Sequence, residues 1–468
     1  MGGLFGVVSK KKCVTELFYG IDYHSHLGTK RGGMAVINED GSLVRSIHSL
    51  KQSYFRVKFE PDLRKFDGRS GIGVISDSES QPIAVHSHLG RFAICTVMKI
   101  NNMASLAADV MNEGKIFTEL SDGTTNGTEL LAQLLNHGAT FAEGIRYAQS
   151  KIEGACTMLI LTDDGIIAAR DWWGRTPLAI GRREDGYAVA SESCSMINLD
   201  YDFFRELGPG EIVKITADGI EQILPAEGKL HVCSFLWIYY GFPATSYEGM
   251  NVDHARRNLG RLMGQQDDLK ADLVSPIPDS GTSMALGYAE GAGIPYRNAV
   301  MKYTPTWPRS FMPVDQSTRD TVAKMKLIPN YGQMKDRKIV FCDDSIVRGT
   351  QLRDNVQIFR GHGAGEIHIR ISCPPLVYPC PYLNFSASKG PLEFVTRRTI
   401  LDLEGRHDAH LEEYSSYGSP RYCNMVEAIR SKLTMDSLKF NSVDNVVKAI
   451  GLPKCSLCTH CFDGTYNN

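Results

Sequence analysis

The sequence lacks the features that would place the protein in a membrane, on nucleic acid or outside the cell. No apolar run approaches the roughly 20 residues that span a bilayer, and a formal net charge of −2 leaves no overall basic field for nucleic acid. The start, MGGLFGVVSKKKC, lacks the long apolar segment and cleavage site of a signal peptide. Without such a signal, the 12 cysteines indicate reduced thiols or metal ligands rather than a disulfide framework. We therefore expect a cytoplasmic protein without membrane or nucleic-acid partners.

Chain length and strand patterns predict two domains of different architecture. A chain of 468 residues is long enough for two domains of about 200 residues each. Up to about residue 230, short strand-like segments alternate with Asp-Gly turns, which is typical of antiparallel β structure. Beyond it, strands predicted at 271–278, 298–302, 338–342 and 366–371 alternate with polar loops and helices, and the tail from about residue 431 is predicted to be helical, then cysteine-rich. This pattern predicts a parallel α/β sheet, whose ligands bind at the loops that follow its strands.

A polar loop between a buried strand and a helix lies within residues 338–351 (KIVFCDDSIVRGTQ). Two adjacent carboxylates there can accept hydrogen bonds from the vicinal diol of a ribose. The following residues can turn backbone N–H groups and hydroxyls inward at a helix start, which makes an anion site. The loop residues that we assign to the site are Asp343, Asp344, Ser345, Arg348, Gly349 and Thr350. A diol site beside a phosphate site describes a 5-phosphoribosyl group, whereas Asp-Asp-Ser alone would indicate a helix cap.

This loop resembles the phosphoribosyl-pyrophosphate (PRPP) signature of type I phosphoribosyltransferases. Its form DDSIVRGT is most similar to glutamine PRPP amidotransferases, a family that makes phosphoribosylamine in the first committed step of purine synthesis. Residues 276–282 (PIPDSGT) resemble the family's pyrophosphate-binding loop, and residues 302–313 resemble its flexible closing loop. The resemblance implies that these segments bind PRPP through Asp279, Ser280, Gly281, Thr282, Lys302 and Arg309. It also implies Mg²⁺, held through the PRPP phosphates with Asp343 and Asp344 beside it.

The first half of the chain resembles the glutaminase domain of the same family. Residues 3–7 (GLFGV) are similar to the opening of that domain, and residues 153–178 and 190–211 are similar to its later strands and closing motif. The resemblance implies an α+β domain of the N-terminal-nucleophile-hydrolase type, an αββα sandwich, over residues 1–230. An α/β type I phosphoribosyltransferase domain with a cysteine-rich tail is expected over residues 231–468.

The glutaminase half lacks the chemistry that the resemblance requires. The family's nucleophile is a cysteine at the position of Gly2, and glycine offers no nucleophile. Cys13 is the nearest thiol, but the glycine-rich sequence that should follow it is absent. The segments that hold glutamine's carboxylate and form the oxyanion hole align with residues 76–79 (SDSE) and 97–98 (VM), and the aspartate that binds its amino group aligns with Gly127. We therefore expect no glutamine hydrolysis and no catalytic residue in this half.

Four cysteines fall where iron–sulfur members of the family place their ligands, namely Cys233, Cys380, Cys458 and Cys461. Four thiolates suit a [4Fe–4S] cluster, and they also suit structural Zn²⁺; free thiols are a third reading. Cys455 adds a second C-x-x-C spacing, so the ligating pair in the tail stays open. The remaining cysteines are expected to be buried small apolar residues: Cys13, Cys95, Cys156, Cys194, Cys342, Cys373 and Cys423.

Three functions are compatible with this sequence. The first is an amidophosphoribosyltransferase-like enzyme that forms phosphoribosylamine from PRPP and free ammonia, or ammonia from a separate supplying protein. The second is a non-catalytic PRPP-binding regulator whose glutaminase-like half is an interaction surface. The third is a transferase that uses another amine. The family resemblance further implies a homo-oligomer.

Overall fold

Two antiparallel sheets pack face to face in the first half of the chain. The computed structural model describes residues 2–303, 327–384 and 390–466. In spatial order, the first sheet contains Asp202–Glu206, Ala179–Arg183, Gly186–Ala190, Gly2–Ser9, Ser70–Ser76, Arg31–Ile37 and Leu43–Ser49. The second contains Ile220–Leu224, Ile212–Ile215, Gly165–Ala169, Gly154–Thr162, Gly90–Ile100 and Ile83–Ser87. Leu120–Ser121 and Thr124–Thr125 form a separate short pair.

Strand alternation gives each of these sheets two apolar faces. Leu4 and Val74 of the first sheet share a core with Leu159 and Ala168 of the second, because successive side chains in a strand point to opposite faces. The opposite face of each sheet packs on helices. These helices are Val14–Asp22 and Phe55–Phe59 on one side, and Met103–Asn112, Gly127–Leu135 and Phe141–Lys151 on the other. The predicted αββα sandwich is confirmed.

A four-stranded parallel sheet organises the second half. Its strands, in spatial order, are Leu273–Pro276, Lys338–Asp343, Glu366–Ile371 and Ser437–Phe440. The longer helices around it are Val252–Gln265, Thr282–Ala292, Thr350–Gly361, Val395–Glu404, Pro420–Lys432 and Val443–Ile450. Shorter helical segments of this half are Leu236–Tyr240, Tyr331–Met334, Pro391–Glu393, Leu411–Ser415, Lys454–Ser456 and His460–Asp463. Two further short segments, Glu60–Lys65 and Cys194–Ile197, lie in the first half. Ser246–Tyr247 pairs with Met250–Asn251, and Val232–Cys233 pairs in parallel with Leu457–Cys458.

Two local predictions for this half were wrong. The strand expected at 298–302 is observed as Val300–Lys302, and it pairs antiparallel with Leu327–Pro329 instead of joining the parallel sheet. The tail, expected to be helical before its cysteines, contains the helix Val443–Ile450 but also contributes the unexpected edge strand Ser437–Phe440. Four residues are too few for a clear period, so the burial of Leu438 and Phe440 at the sheet edge decides that structure. None of the helices in the described ranges is long and apolar enough to cross a membrane.

Polar contacts join the two halves along a continuous interface. The buried Arg170 donates to Glu248 at 2.5 Å, and the buried Glu192 accepts from the Tyr247 hydroxyl at 2.6 Å and from the Phe242 N–H at 3.0 Å. On another side, the Asn101 side chain donates to the carbonyl of Pro381 at 2.7 Å. These contacts hold residues 242–248 and Pro381 of the second half against the first half.

Candidate functional site

Two polar loops lie side by side at the carboxyl ends of neighbouring parallel strands. Pro276 and Cys342 are register partners, and the Ile277 N–H donates to the Cys342 carbonyl at 2.8 Å. A Cβ atom at Gly281 would lie 2.0 Å from that carbonyl oxygen, so only glycine permits this approach. Each loop runs directly into a helix, beginning at Thr282 and Thr350. The two predicted loops are therefore adjacent in space.

The two acidic residues stand where the loops meet. The Ser280 hydroxyl and the Asp344 N–H both donate to Oδ1 of Asp343 at 2.9 Å, and the Ser345 hydroxyl donates to Asp344. Asp344 is buried. Burial, together with the neighbouring Asp344 carboxylate, raises the pKa of Asp343 well above its ordinary value. Burial also raises the pKa of Asp344, although the nearby Arg256 guanidinium opposes the rise.

The rest of the second loop is held by residues 393–395. Arg348 forms an ion pair with Glu393, and the Val395 N–H donates to the Val347 carbonyl at 2.7 Å. Gly349 has a φ of 76°, which a side chain would strain, and it starts the helix Thr350–Gly361. The loop is therefore fixed from both sides.

The predicted closing segment is described only in part. Lys302 ends its strand and forms an ion pair with Asp279 of the first loop. Arg309 lies outside the described residues. Among the basic residues assigned to this segment, Lys302 is thus brought to the site.

Both loops line one cavity of about 750 Å³. This volume is in the range of small-molecule sites in proteins. Side chains that the sequence did not single out also line it, including Lys99 from the first half and the rings of Phe235, Tyr239, Tyr240 and Phe394. The aromatic cluster FLWIYY at 235–240 is visible in the sequence, but its position beside the loops follows only from the fold.

The cavity beside Gly2 is much smaller than the cavity beside Asp343 and Asp344. Gly2 pairs with Ser76 in the first sheet, and a Cβ atom on it would lie 2.7 Å from the Ile75 carbonyl oxygen. The cavity that Gly2, Glu79 and Met98 line has a volume of about 10 Å³, roughly the room for one water. A Cβ atom at Gly127 would lie 2.6 Å from Cε of Met98, so this side chain fills the space beside Gly127.

The half-buried Glu79 carboxyl occupies the same region. It accepts the Gly127 N–H at 3.1 Å, and burial raises its pKa despite that hydrogen bond. An acidic side chain therefore stands in the segment that the family resemblance aligns with the carboxylate-binding residues.

The four cysteines predicted as ligands come from three separate parts of the chain and are gathered together. Cys233 and Cys458 are register partners, and the Cys461 carbonyl accepts the N–H groups of Val377 at 3.0 Å and Tyr378 at 3.2 Å. Burial raises the pKa of the Cys461 thiol, and the three other cysteines of the quartet raise it further. The pKa of Cys380 is raised to about 11, chiefly by burial.

The other cysteines mostly follow the prediction. Cys455 is exposed, whereas Cys458 and Cys461 are buried. Cys423, expected to be buried, is exposed on the helix Pro420–Lys432. The prediction for Cys423 was wrong because the burial of a residue on an amphipathic helix depends on which face packs inward.

No group of three or more His, Cys, Asp or Glu side chains within residues 2–303, 327–384 and 390–466 is arranged to hold a metal ion. The quartet has the donor chemistry of a cluster or zinc site without that arrangement. Mg²⁺ in proteins binds largely through substrate phosphates and one or two carboxylates, and Asp343 and Asp344 are two adjacent carboxylates in the cavity.

The fold and the site together define a two-part protein, in which a glutaminase-type sandwich precedes a phosphoribosyltransferase-type sheet. A family described as "Glutamine amidotransferase domain" matches residues 68–198. The amidophosphoribosyltransferase of Bacillus subtilis is 31% identical over 99% of this chain and 93% of its own length. That of Methanocaldococcus jannaschii is 30% identical over 100% of this chain and 97% of its own length.

A solved structure agrees with these sequence matches. The glutamine PRPP amidotransferase from Bacillus subtilis, complexed with ADP and GMP, superposes with a TM-score of 0.84 at 30% identity. The match covers 99% of this chain and 97% of that one. The chain belongs to the amidophosphoribosyltransferase family.

Proposed function

We propose that the protein binds PRPP in the 750 Å³ cavity and transfers its phosphoribosyl group to an amine. Ammonia is the simplest acceptor and would give phosphoribosylamine. The observation that carries the proposal is the juxtaposition of Asp343 and Asp344 with Ser280, at the start of two helices. Family membership supports the same reaction class.

Each part of PRPP has residues suited to it. Asp343 and Asp344 would accept hydrogen bonds from the ribose hydroxyls. The loop that contains Ser345 and ends at Thr350 would receive the 5-phosphate at the start of a helix, where N–H groups and the helix dipole favour anions. The loop at 279–282 would receive the diphosphate, with Lys302, and we extend this role to Arg309.

Displacement at the anomeric carbon passes through an oxocarbenium-like state, as glycoside cleavage does. The protein then needs to position the two reactants and balance charge rather than form a covalent bond. The two aspartates would lie beside that carbon when PRPP is bound, and in their ionised form they would stabilise its developing positive charge. Bound Mg²⁺ would neutralise the leaving diphosphate.

The glutaminase-like half would not supply ammonia by hydrolysing glutamine. Gly2 offers no nucleophile, and the cavity that Gly2 lines with Met98 and Glu79, of about 10 Å³, has no room for glutamine. The amine would come from solution or from a separate supplying protein. The division into residues 1–230 and 231–468, a cytoplasmic location and assembly as a homo-oligomer belong to the same proposal.

We extend the proposal to a metal centre at Cys233, Cys380, Cys458 and Cys461. The pairing of Cys233 with Cys458 and the contacts of Cys461 with the segment before Cys380 bring the four thiols together, which supports a [4Fe–4S] cluster, with Zn²⁺ as the alternative. Such a centre would tie the tail to the junction of the two halves. No step of the transfer depends on it.

The test is pyrophosphate release from PRPP and Mg²⁺ with ammonium, with glutamine and with neither. We expect release with ammonium and none above background with glutamine. Glutamine-dependent release would refute the loss of glutaminase activity. Tight PRPP binding without release in the presence of any amine would instead favour a PRPP-binding regulator.

A further inference from the structure

The small cavity beside Gly2 has the size of one small polar molecule. Its volume is about 10 Å³, and a cavity of about this size holds a single water. Ammonium is close to water in size, since each is a single second-row atom with its hydrogens. Four of the residues that line the cavity have polar side chains, namely Ser76, Ser78, Glu79 and Thr96. The cavity therefore suits a small polar ligand.

Glu79 is fixed at the wall of this small cavity by its neighbours on both sides. Its Oε2 accepts the Gly127 N–H at 3.1 Å, and its own N–H donates to the Ser76 hydroxyl at 3.1 Å. The first contact joins it to the start of the helix Gly127–Leu135, and the second joins it to the end of the strand Ser70–Ser76. A carboxyl group is thereby held beside the cavity.

The Glu79 carboxylate has acceptor positions left for a ligand. It accepts the Gly127 N–H and a hydrogen bond from the Ser121 side chain, whereas a carboxylate can accept about four hydrogen bonds. The Ser78 hydroxyl, at the same wall, provides a further acceptor. A ligand with several N–H groups and a positive charge would match this set of acceptors.

The surroundings of Glu79 also favour proton uptake by its carboxylate. Burial raises the pKa of Glu79, although hydrogen bonds and the Arg31 charge oppose the rise. Arg31 donates to the Ser80 hydroxyl at 2.6 Å and to Asp122 at 2.7 Å. A carboxylate with a raised pKa takes a proton from a bound acid more readily than an ordinary one does.

The small cavity adjoins the large cavity that contains the two aspartates. Leu383 and Asn384 line both cavities. The Asn384 side chain donates to the carbonyl of Met98 at 3.5 Å, and Met98 lines the small cavity. Ammonia formed at Glu79 would therefore be next to the space in which we propose that PRPP binds.

We propose that the small cavity is an ammonium site, in which Glu79 binds the cation and accepts a proton from it. The proposal rests on the proposed transfer from PRPP and identifies where its nitrogen donor binds. Ammonium gives one proton to the Glu79 carboxylate, which leaves ammonia with a free electron pair, and Glu79 then passes the proton to water.

The transfer itself follows in the large cavity. The ammonia nitrogen forms a bond to the anomeric carbon of PRPP, and the bond from that carbon to the diphosphate oxygen breaks. Pyrophosphate leaves with the electron pair of the broken bond. The new amine, protonated when it forms, loses one proton to water.

Glu79→Gln tests the site in the full-length protein with PRPP and Mg²⁺. The amide oxygen can still accept the Gly127 N–H, but the charge and the proton acceptor are lost. We expect KM for ammonium to rise at least about tenfold, since hydrogen bonds to charged groups are the stronger ones. KM for PRPP and the urea midpoint of unfolding should stay close to those of the wild type.

Asp122→Asn is the matched control, because it removes the same charge close by and Asp122 lines neither cavity. It should leave KM for ammonium close to that of the wild type. Equal KM values for ammonium in the wild type and Glu79→Gln would overturn the ammonium site and leave the proposed function standing.

The size of the amine gives a second readout. Methylammonium has one carbon more than ammonium, which a cavity of about 10 Å³ does not accommodate. We expect kcat/KM for ammonium to exceed that for methylammonium at least about tenfold, a discrimination that one carbon can give. Glu79→Gln should lose most of this preference, and the same preference in both proteins would overturn the site.

Binding is measured without turnover in crystals soaked in thallium(I) acetate, whose cation has a radius similar to that of ammonium. We expect an anomalous density peak beside Glu79 in the wild type and none in Glu79→Gln. A peak without pyrophosphate release from PRPP and ammonium would support the site and refute the proposed transfer. No peak in the wild type would overturn the site, while ammonium-dependent release would still support the transfer.

Discussion

At the scale of single residues, the site is defined by two carboxyl groups whose charged form is disfavoured by burial. Asp343 and Asp344 are adjacent in sequence; burial raises the pKa of both, and the Asp344 carboxylate raises the pKa of Asp343 further. Groups with perturbed pKa values in a cavity are frequently functional. In their charged form these buried carboxylates destabilise the protein without ligand. A bound ligand that donates hydrogen bonds to them would offset that destabilisation.

Asp343→Asn should abolish PRPP binding and at the same time stabilise the empty protein. The raised pKa means that the charged form is disfavoured in the fold, so its destabilising effect grows as pH rises through that pKa. A neutral amide removes the effect, and we expect the free energy of unfolding at neutral pH to rise by about 1 kcal/mol. Urea unfolding and calorimetric PRPP titration measure the two effects.

The wild-type protein should lose PRPP affinity on acidification at a higher pH than an ordinary aspartate would require, since the ionised carboxylates accept the ribose hydroxyls. Asp354→Asn is the control, since Asp354 is exposed and pairs with its neighbour Arg353. Unchanged PRPP binding in Asp343→Asn would contradict the site assignment.

Gly281→Ala should destabilise the protein by about 2–3 kcal/mol, because the added methyl group would lie 2.0 Å from the Cys342 carbonyl oxygen. The two loops would have to separate, so PRPP affinity should fall with stability. Gly361→Ala is the matched control, since nothing lies within 4 Å of its added Cβ atom. Urea unfolding of both variants checks this, and equal stabilities would contradict it.

At the scale of elements, the π-helical turn Leu236–Tyr240 depends on one side chain from the helix Val252–Gln265. Replacing Arg256 by Met leaves the buried carbonyls of Trp237 and Gly241 without their donor. We expect a loss of about 2–4 kcal/mol in the free energy of unfolding, since an unsatisfied buried polar group costs about 1–3 kcal/mol.

The neighbouring Arg257 provides the matched control for this prediction. It is an exposed residue that pairs with Glu290 on the surface, so Arg257→Met should change stability by less than about 0.5 kcal/mol. Urea unfolding of both variants is the measurement. Similar losses at Arg256 and Arg257 would show that the carbonyl contacts do not hold the turn.

At the scale of the whole molecule, the two halves differ in the room that they offer a ligand. The cavity at Gly2 has about 10 Å³, against about 750 Å³ beside the aspartates. Restoring the nucleophile alone should therefore fail, and Gly2→Cys should form no glutamate from glutamine above background. Chromatographic detection of glutamate, with a competent glutaminase as positive control, checks this. Turnover by Gly2→Cys would show that the pocket can still open.

The cysteine quartet links the tail to the junction between the halves, so a metal there would affect the whole fold. Iron and zinc analysis of anaerobically purified protein should find either about four iron atoms or one zinc per chain. Cys458→Ser with Cys461→Ser should lose that metal and lower the melting temperature. Cys455→Ser should retain the metal, since Cys455 is exposed. Absence of both metals from the wild-type protein would indicate that the four cysteines are free thiols.

The sequence determined the features that depend on local pattern. Residues 338–351 contain a buried strand, adjacent carboxylates and a glycine before a helix, and each of these follows from residue type within a few positions. The loop at 276–282 and the absence of a thiol at Gly2 could also be identified from the sequence. Strand alternation and turn chemistry also predicted the antiparallel first half, whereas the αββα sandwich was implied by the family resemblance.

Only the tertiary structure decided what distant segments form together. The rings at 235–240 line the same cavity as the loops at 276–282 and 343–350, and Lys99 of the first half lines it too, although these segments are far apart in the chain. Sequence spacing carries no information about such contacts, because they depend on which faces pack in the core. The edge strand Ser437–Phe440 shows the same limit, since a neighbouring strand, rather than its own four residues, makes it a strand.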